Sequence, residues 1–131
     1  MSEHFETVKS YVIDLDYSIK HEDAAEEVLV IEHEDSGISH LVIACADPIL
    51  IMEQFLFEVK KDGAEVYKNL LVKNRDIVHG AFALDEGGTR VVFRDTLQLE
   101  NLDINELEGS INSLGLLLSE YSDELINYSK S

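Results

Sequence analysis

Tryptophan is absent from this chain, and proline and cysteine occur once each, as Pro48 and Cys45. A lone cysteine excludes an internal disulfide and suits a reducing compartment. No window approaches the ~18 uninterrupted apolar residues of a membrane-spanning helix. The opening residues, Met1-Ser2-Glu3-His4, are acidic and lack the apolar stretch of a secretory signal. A cytoplasmic protein is therefore expected. Bases are scarce: 10 Lys and Arg stand against 27 Asp and Glu, a formal charge of −17. Nucleic acid is excluded as a partner class, since neutralising phosphates needs clustered Lys and Arg. Anionic membranes are disfavoured for the same reason.

The acidity is uneven. Residues 1–48 carry 12 acids and 2 bases, and residues 100–131 carry 7 and 1. Residues 49–99 carry 8 acids and 7 bases, a net of −1. Five of those bases (Lys60, Lys61, Lys68, Lys73, Arg75) lie in or next to one expected helix. Most surface acids serve solubility. The near-neutral middle is where self-association or a partner could be accommodated.

A length of 131 residues fits one domain, 1–131, able to bury a core without staples. Repeats, linkers and low-complexity tracts are missing. The spacing of Phe5, Val8, Val12, Leu15 and Ile19 predicts a first helix from about Ser2 to Asp16. Strands are expected at Glu27–His33 and Ile38–Ala46, joined by Glu34-Asp35-Ser36-Gly37. Asp47-Pro48 breaks the run, because proline cannot donate to a ladder. A third strand, Ile49–Val59, follows, with Phe55 and Phe57 on one face. Lys60-Lys61-Asp62-Gly63 reads as a loop before a second helix, Ala64–Asn74. A hairpin, His79–Leu84 and Thr89–Leu99, turns at Asp85-Glu86-Gly87-Gly88. The final helix starts at an Asp103 cap with Glu106 three residues on. Its stripe runs from Ile104 to Tyr128, roughly 36 Å at 1.5 Å per residue. Leu116, Leu117 and Ile126 fall off that stripe. The expected fold is α+β: a two-layer sandwich of an antiparallel five-stranded sheet and three helices, ordered α-β-β-β-α-β-β-α.

Val28-Leu29-Val30-Ile31, Leu41-Val42-Ile43-Ala44-Cys45-Ala46 and Ile49-Leu50-Ile51-Met52 lack polar residues at alternate positions. A strand with one wet face alternates, so both faces of these strands want cover. Three helices cannot shelter both, which implies a second copy or a client chain on the remaining face.

The stretch His79-Gly80-Ala81-Phe82-Ala83-Leu84-Asp85, then Thr89-Arg90-Val91-Val92-Phe93-Arg94 and Leu97-Gln98-Leu99-Glu100-Asn101-Leu102-Asp103, resembles the YbjN-like family. Leu41-Val42-Ile43-Ala44 with Asp47-Pro48 fits as well. That family is similar in fold to type III secretion chaperones. The resemblance implies a small acidic protein, usually dimeric, that holds an extended client segment. It does not imply an enzyme. No cofactor is expected.

The residues agree with that silence on catalysis. Cys45 sits mid-run in an apolar strand and reads as core. His79 has no nucleophile placed beside it, and the glycines lack the Lys-Ser/Thr of a phosphate loop. His21-Glu22-Asp23 and His33-Glu34-Asp35, with His40, could gather at a hairpin end and hold a divalent ion, but their spacing fits no strong metal pattern. A small-ligand or metal-binding regulator is the alternative to a protein-binding module. Arg90 and Arg94 share one strand face with Val92, and cross-strand salt bridges are their simplest use. Val66, Tyr67, Leu70 and Leu71 of the second helix and Val91 and Phe93 of the last hairpin are the expected partner or dimer surface.

Overall fold

The computed structural model describes residues 3–60 and 63–130. The expected helix start at Ser2 and the loop residues Lys61 and Asp62 lie outside them. Helix α1 (Glu3–Asp14) leads into β1 (Ser18–Asp23), β2 (Val28–His33), β3 (Ile38–Ala46) and β4 (Ile49–Glu58). Helix α2 (Ala64–Lys73), the hairpin β5 (Ala81–Leu84) and β6 (Arg90–Gln98), and the long α3 (Ile104–Lys130) complete the order. The sheet runs β1-β2-β3-β4-β6-β5, with every neighbouring pair antiparallel.

Six strands replace the expected five. The extra strand, β1, has a single large apolar residue, Ile19, and an exposed, charged sequence; it is an edge strand. Charge on an edge is how sheets resist unwanted pairing, and it also hides a strand from a search for apolar alternation. The stripe from Phe5 to Ile19 thus spans a helix and a strand. The helix stops because Tyr17 N–H bonds Val12 C=O and Asp16 N–H bonds Ile13 C=O, with Asp16 left-handed at φ 65°. That is a Schellman closure.

All three helices pack on one face. Phe5, Val8 and Val12 of α1, Val66 and Leu70 of α2, and Leu107, Ile111 and Leu114 of α3 join Leu29, Ile31, Leu41, Ile43, Leu50 and Met52 in one core. Asp103 Oδ1 caps α3 by accepting from the Glu106 N–H at 2.7 Å. Leu117, expected off the stripe, is buried, while Leu118 is only half-buried. Ser110 is fully buried and its hydroxyl donates to Asp95 of β6, which faces the helices between Phe93 and Leu97. That bond keys α3 to the sheet at one polar point.

The opposite face has no helix, yet it is less bare than the strand runs suggest. Val30 and Val92 point outward and are still only 6% and 7% exposed. Long side chains lean over it: Arg90 stacks 4.0 Å above the Phe55 ring, and Arg94 pairs with Glu53 at 2.9 Å. Among the described residues, Phe55 is the one strongly exposed large apolar side chain on that face. Phe55 and Phe57 do not share a face. A bulge at Leu56 shifts the register, so Phe55 pairs with outward Val92 and Phe57 with inward Val91.

Both outer edges are blunted. β1 carries charge, and β5 is four residues long. The Asn74 carboxamide also accepts from the Phe82 N–H at 2.8 Å and donates to the Phe82 C=O at 3.2 Å, occupying the place of a neighbouring strand.

Gly80 is fixed twice over. Its φ is +80°, and a Cβ there would meet the Phe93 ring at 2.5 Å. Gly80→Ala combines left-handed strain with overpacking against a buried ring. The expected loss is about 2–4 kcal/mol, measured by urea unfolding; a loss below about 0.5 kcal/mol, the level of an ordinary surface change, would contradict this packing.

Candidate functional site: an apolar groove between α2 and β5

Helix α2 starts after Gly63, with the Tyr67 N–H on the Gly63 carbonyl at 2.8 Å. Val66 and Leu70, four apart, turn to the core; Leu71 and Val72 turn out and are 69% and 58% exposed. Two anchors fix the helix. The Tyr67 hydroxyl donates to the Gly88 carbonyl at 2.9 Å, in the β5–β6 turn. Lys73 Nζ meets Glu124 of α3 at 2.6 Å and lies over the Tyr121 ring. The hydrogen bond to Glu124 raises the Lys73 pKa, so this clamp is charged at neutral pH.

Between α2 and the final hairpin lies a groove of about 190 Å³, lined by Tyr67, Leu70, Leu71, Asn74, Phe82, Ala83, Leu84 and Val91. No charged side chain lines it. Ligand pockets for drug-sized molecules are typically about 300–1,000 Å³; this one suits one or two inserted side chains. Tyr67, Leu70, Leu71 and Val91, four of the six residues expected to meet a partner, come together here. Val66 and Phe93 do not line it. They are 8% and 1% exposed and belong to the core, as do Leu70 and Val91 at 5% and 0%, which form the groove floor. A surface role for Val66 and Phe93 is thus corrected: on the β6 side facing the helices, a large apolar residue is roofed over. Leu84, 43% exposed on the rim, was not singled out from sequence. Its position next to the Asp85 turn, where a hairpin outruns its covering helix, was the available signal.

The other candidates disperse. Pairing of His21 with Val30 and of Ser18 with Glu32 places His21-Glu22-Asp23 and His33-Glu34-Asp35 at opposite ends of the β1–β2 hairpin. Among the described residues no three His, Cys, Asp or Glu side chains gather to hold a metal. His33 is employed locally, bonded through Nδ1 to the Ser36 hydroxyl and set edge-on to Tyr17. The His79 carbonyl accepts from the Ser113 hydroxyl at 2.6 Å. Arg94 makes the cross-strand bridge to Glu53 expected of a surface arginine.

Cys45 is half-buried on the core-facing side of β3. Burial, and then the Glu27 carboxylate, push its thiol up to about 11. Only the thiolate reacts. Labelling by a disulfide reagent at pH 8 is expected to be slow in the folded protein and to accelerate as pH rises toward the thiol's own pKa. Guanidinium should restore the rate of an ordinary cysteine. Equal rates in both states would place Cys45 in water instead.

An antiparallel sheet covered on one side by three helices thus carries an apolar groove of side-chain size beside its last hairpin. The chain belongs to the CesT_Tir_1 family, whose model matches residues 1–131. No curated protein matches it closely enough to count. Among solved structures, YbjN from E. coli is similar at a TM-score of 0.67, with 16% identity over 91% of each chain. The chaperone–effector complex HopA1–SchA gives 0.60, at 12% identity over 97% of this chain and 94% of that one. The type III secretion chaperone SycH of Yersinia pestis, in complex with a fragment of YscM2, gives 0.59 at 14% identity over 96% and 99%. At such identities the likeness is one of fold. Among the described residues no helix is long and apolar enough to cross a membrane.

Proposed function

We propose that this chain is a non-enzymatic, chaperone-like protein-binding module of the cytoplasm that pairs with a second copy of itself through the α2–β5 groove. The observation that carries the reading is the groove: uncharged, apolar and rimmed by exposed Leu71 and Leu84 in a chain of charge −17. It lies within residues 49–99, whose net charge is −1, whereas the flanking segments carry −10 and −6. Two copies repel through their acidic parts and can approach through the neutral one. Burial of Leu71 and its neighbours then supplies the attraction. Relatives of the same fold are seen bound to effector or partner proteins, which supports protein binding as the common task. The metal-regulator reading loses its geometry with the separation of the two His-Glu-Asp tripeptides.

Leu71→Asp tests the reading. The residue is exposed, so stability should change by no more than about 0.5 kcal/mol. Light scattering should give twice the chain mass for the parent protein and the single mass for the variant. Association of the parent should tighten as salt rises, because screening weakens the acidic self-repulsion. One mass shared by both proteins, with both folded, would remove the groove from self-association.

A further inference from the structure

Beyond α2 the chain runs as a strap along α3. Lys73 meets Glu124 at 2.6 Å, and further along the His79 carbonyl accepts from the Ser113 hydroxyl at 2.6 Å. Residues 73–79 therefore pass antiparallel to the helix. Between strap and helix lies a groove of about 150 Å³. Val78 and Leu116 line it and are 84% and 67% exposed. Val78 is the most exposed large apolar side chain among the described residues. Ile77 and buried Leu117 complete the apolar lining. Asp76 and Glu120 belong to the same lining, which holds no lysine or arginine. Neither carboxylate makes an ion pair among the described residues. Both act on one point: the Tyr121 hydroxyl is held above its ordinary pKa by burial, then by Glu120, then by Asp76. The α2–β5 groove, by contrast, has no charge in its lining.

We propose that this groove receives an arginine side chain projected by a folded partner protein, on a surface separate from the Leu71 groove. Volume sets the scale. A groove of about 150 Å³ falls below the ~300 Å³ at which small-molecule pockets begin, and it holds one long side chain. The mixture of apolar walls and unpaired acids sets the chemistry. Arginine lays an apolar stem along greasy surface and carries its charge at the tip. Its planar fork serves two carboxylates at once and is more weakly hydrated than an ammonium, which favours it over lysine. A wholly apolar side chain would strip water from Asp76 and Glu120 and return nothing. Backbone pairing is not on offer, since the β5 edge is closed by the Asn74 carboxamide. A site for a single residue is best filled from a preorganised surface, which loses little freedom on docking. The chain's charge of −17 draws a basic surface in from a distance.

The probe is acetyl-arginine-amide, titrated into the full chain and followed by NMR, with acetyl-citrulline-amide as its uncharged match in shape. The arginine amide should shift the signals of residues 76–79 and 109–120 and saturate. The citrulline amide should bind about threefold more weakly, or worse. Asp76→Asn combined with Glu120→Gln should abolish that preference. Leu116→Ser, at an exposed position, should weaken binding of both amides. Leu71→Asp should leave the titration unchanged even where it abolishes self-association, which separates this proposal from the previous one. Equal binding of the two amides would overturn it. So would wild-type arginine binding in Leu116→Ser, which would reduce the site to cations loosely gathered by acids. A fall in particle mass in Arg75→Ala would give the arginine to a second copy and overturn the assignment to a different protein.

Discussion

Packing of α3 across the inner face of the sheet is the contact on which the other elements depend. Leu107, Ile111, Leu114 and Leu117 are each no more than 2% exposed, although they reach it from a helix that is mostly polar on its other side. Each such side chain contributes roughly 1.5–3 kcal/mol on burial, so a few of them rival the whole stability of a small protein, about 5–15 kcal/mol. The Ser110–Asp95 bond sets where along the sheet the helix rests. Once α3 is set, Lys73 of α2 meets Glu124 of it, and the α2–β5 groove lies on the other side of α2, where Leu84 is left uncovered.

Much of this was readable in the residues, for a physical reason. Buried elements announce themselves by periodicity: the β3 bounds agree at both ends, and the three helices differ from expectation only near their ends. Elements whose environment is water do not. β1 was missed because an edge strand is built from charge, and the Phe55–Phe57 split because a bulge adds one residue without a compositional mark. Of the residues expected to meet a partner, the structure gathers Tyr67, Leu70, Leu71 and Val91 around one groove, but apolarity alone cannot separate a residue roofed by a helix from one left at its margin. Val66 and Phe93 fell on the wrong side of that line.

The expected shortage of cover took a different form from the one the strand runs implied. Valine and alanine dominate the outward positions of β2 and β3, and arginines from β6 reach across the neighbouring surface. Guanidinium groups stack on rings and bridge carboxylates while their stems shield apolar neighbours. Most of the strongly exposed apolar side chains instead lie around α2, the β5 end and the solvent side of α3. The helical layer, not the pleated one, presents the sticky surface.

The Asn74 carboxamide on Phe82 bears on what assemblies this chain can build. A sheet with an open rim invites copy after copy to stack without limit, as fibres do. With one rim capped by an amide and the other carrying charge, both outer strands are guarded against the addition of further strands. Apolar surface is left to the helical side, where contact does not extend the sheet.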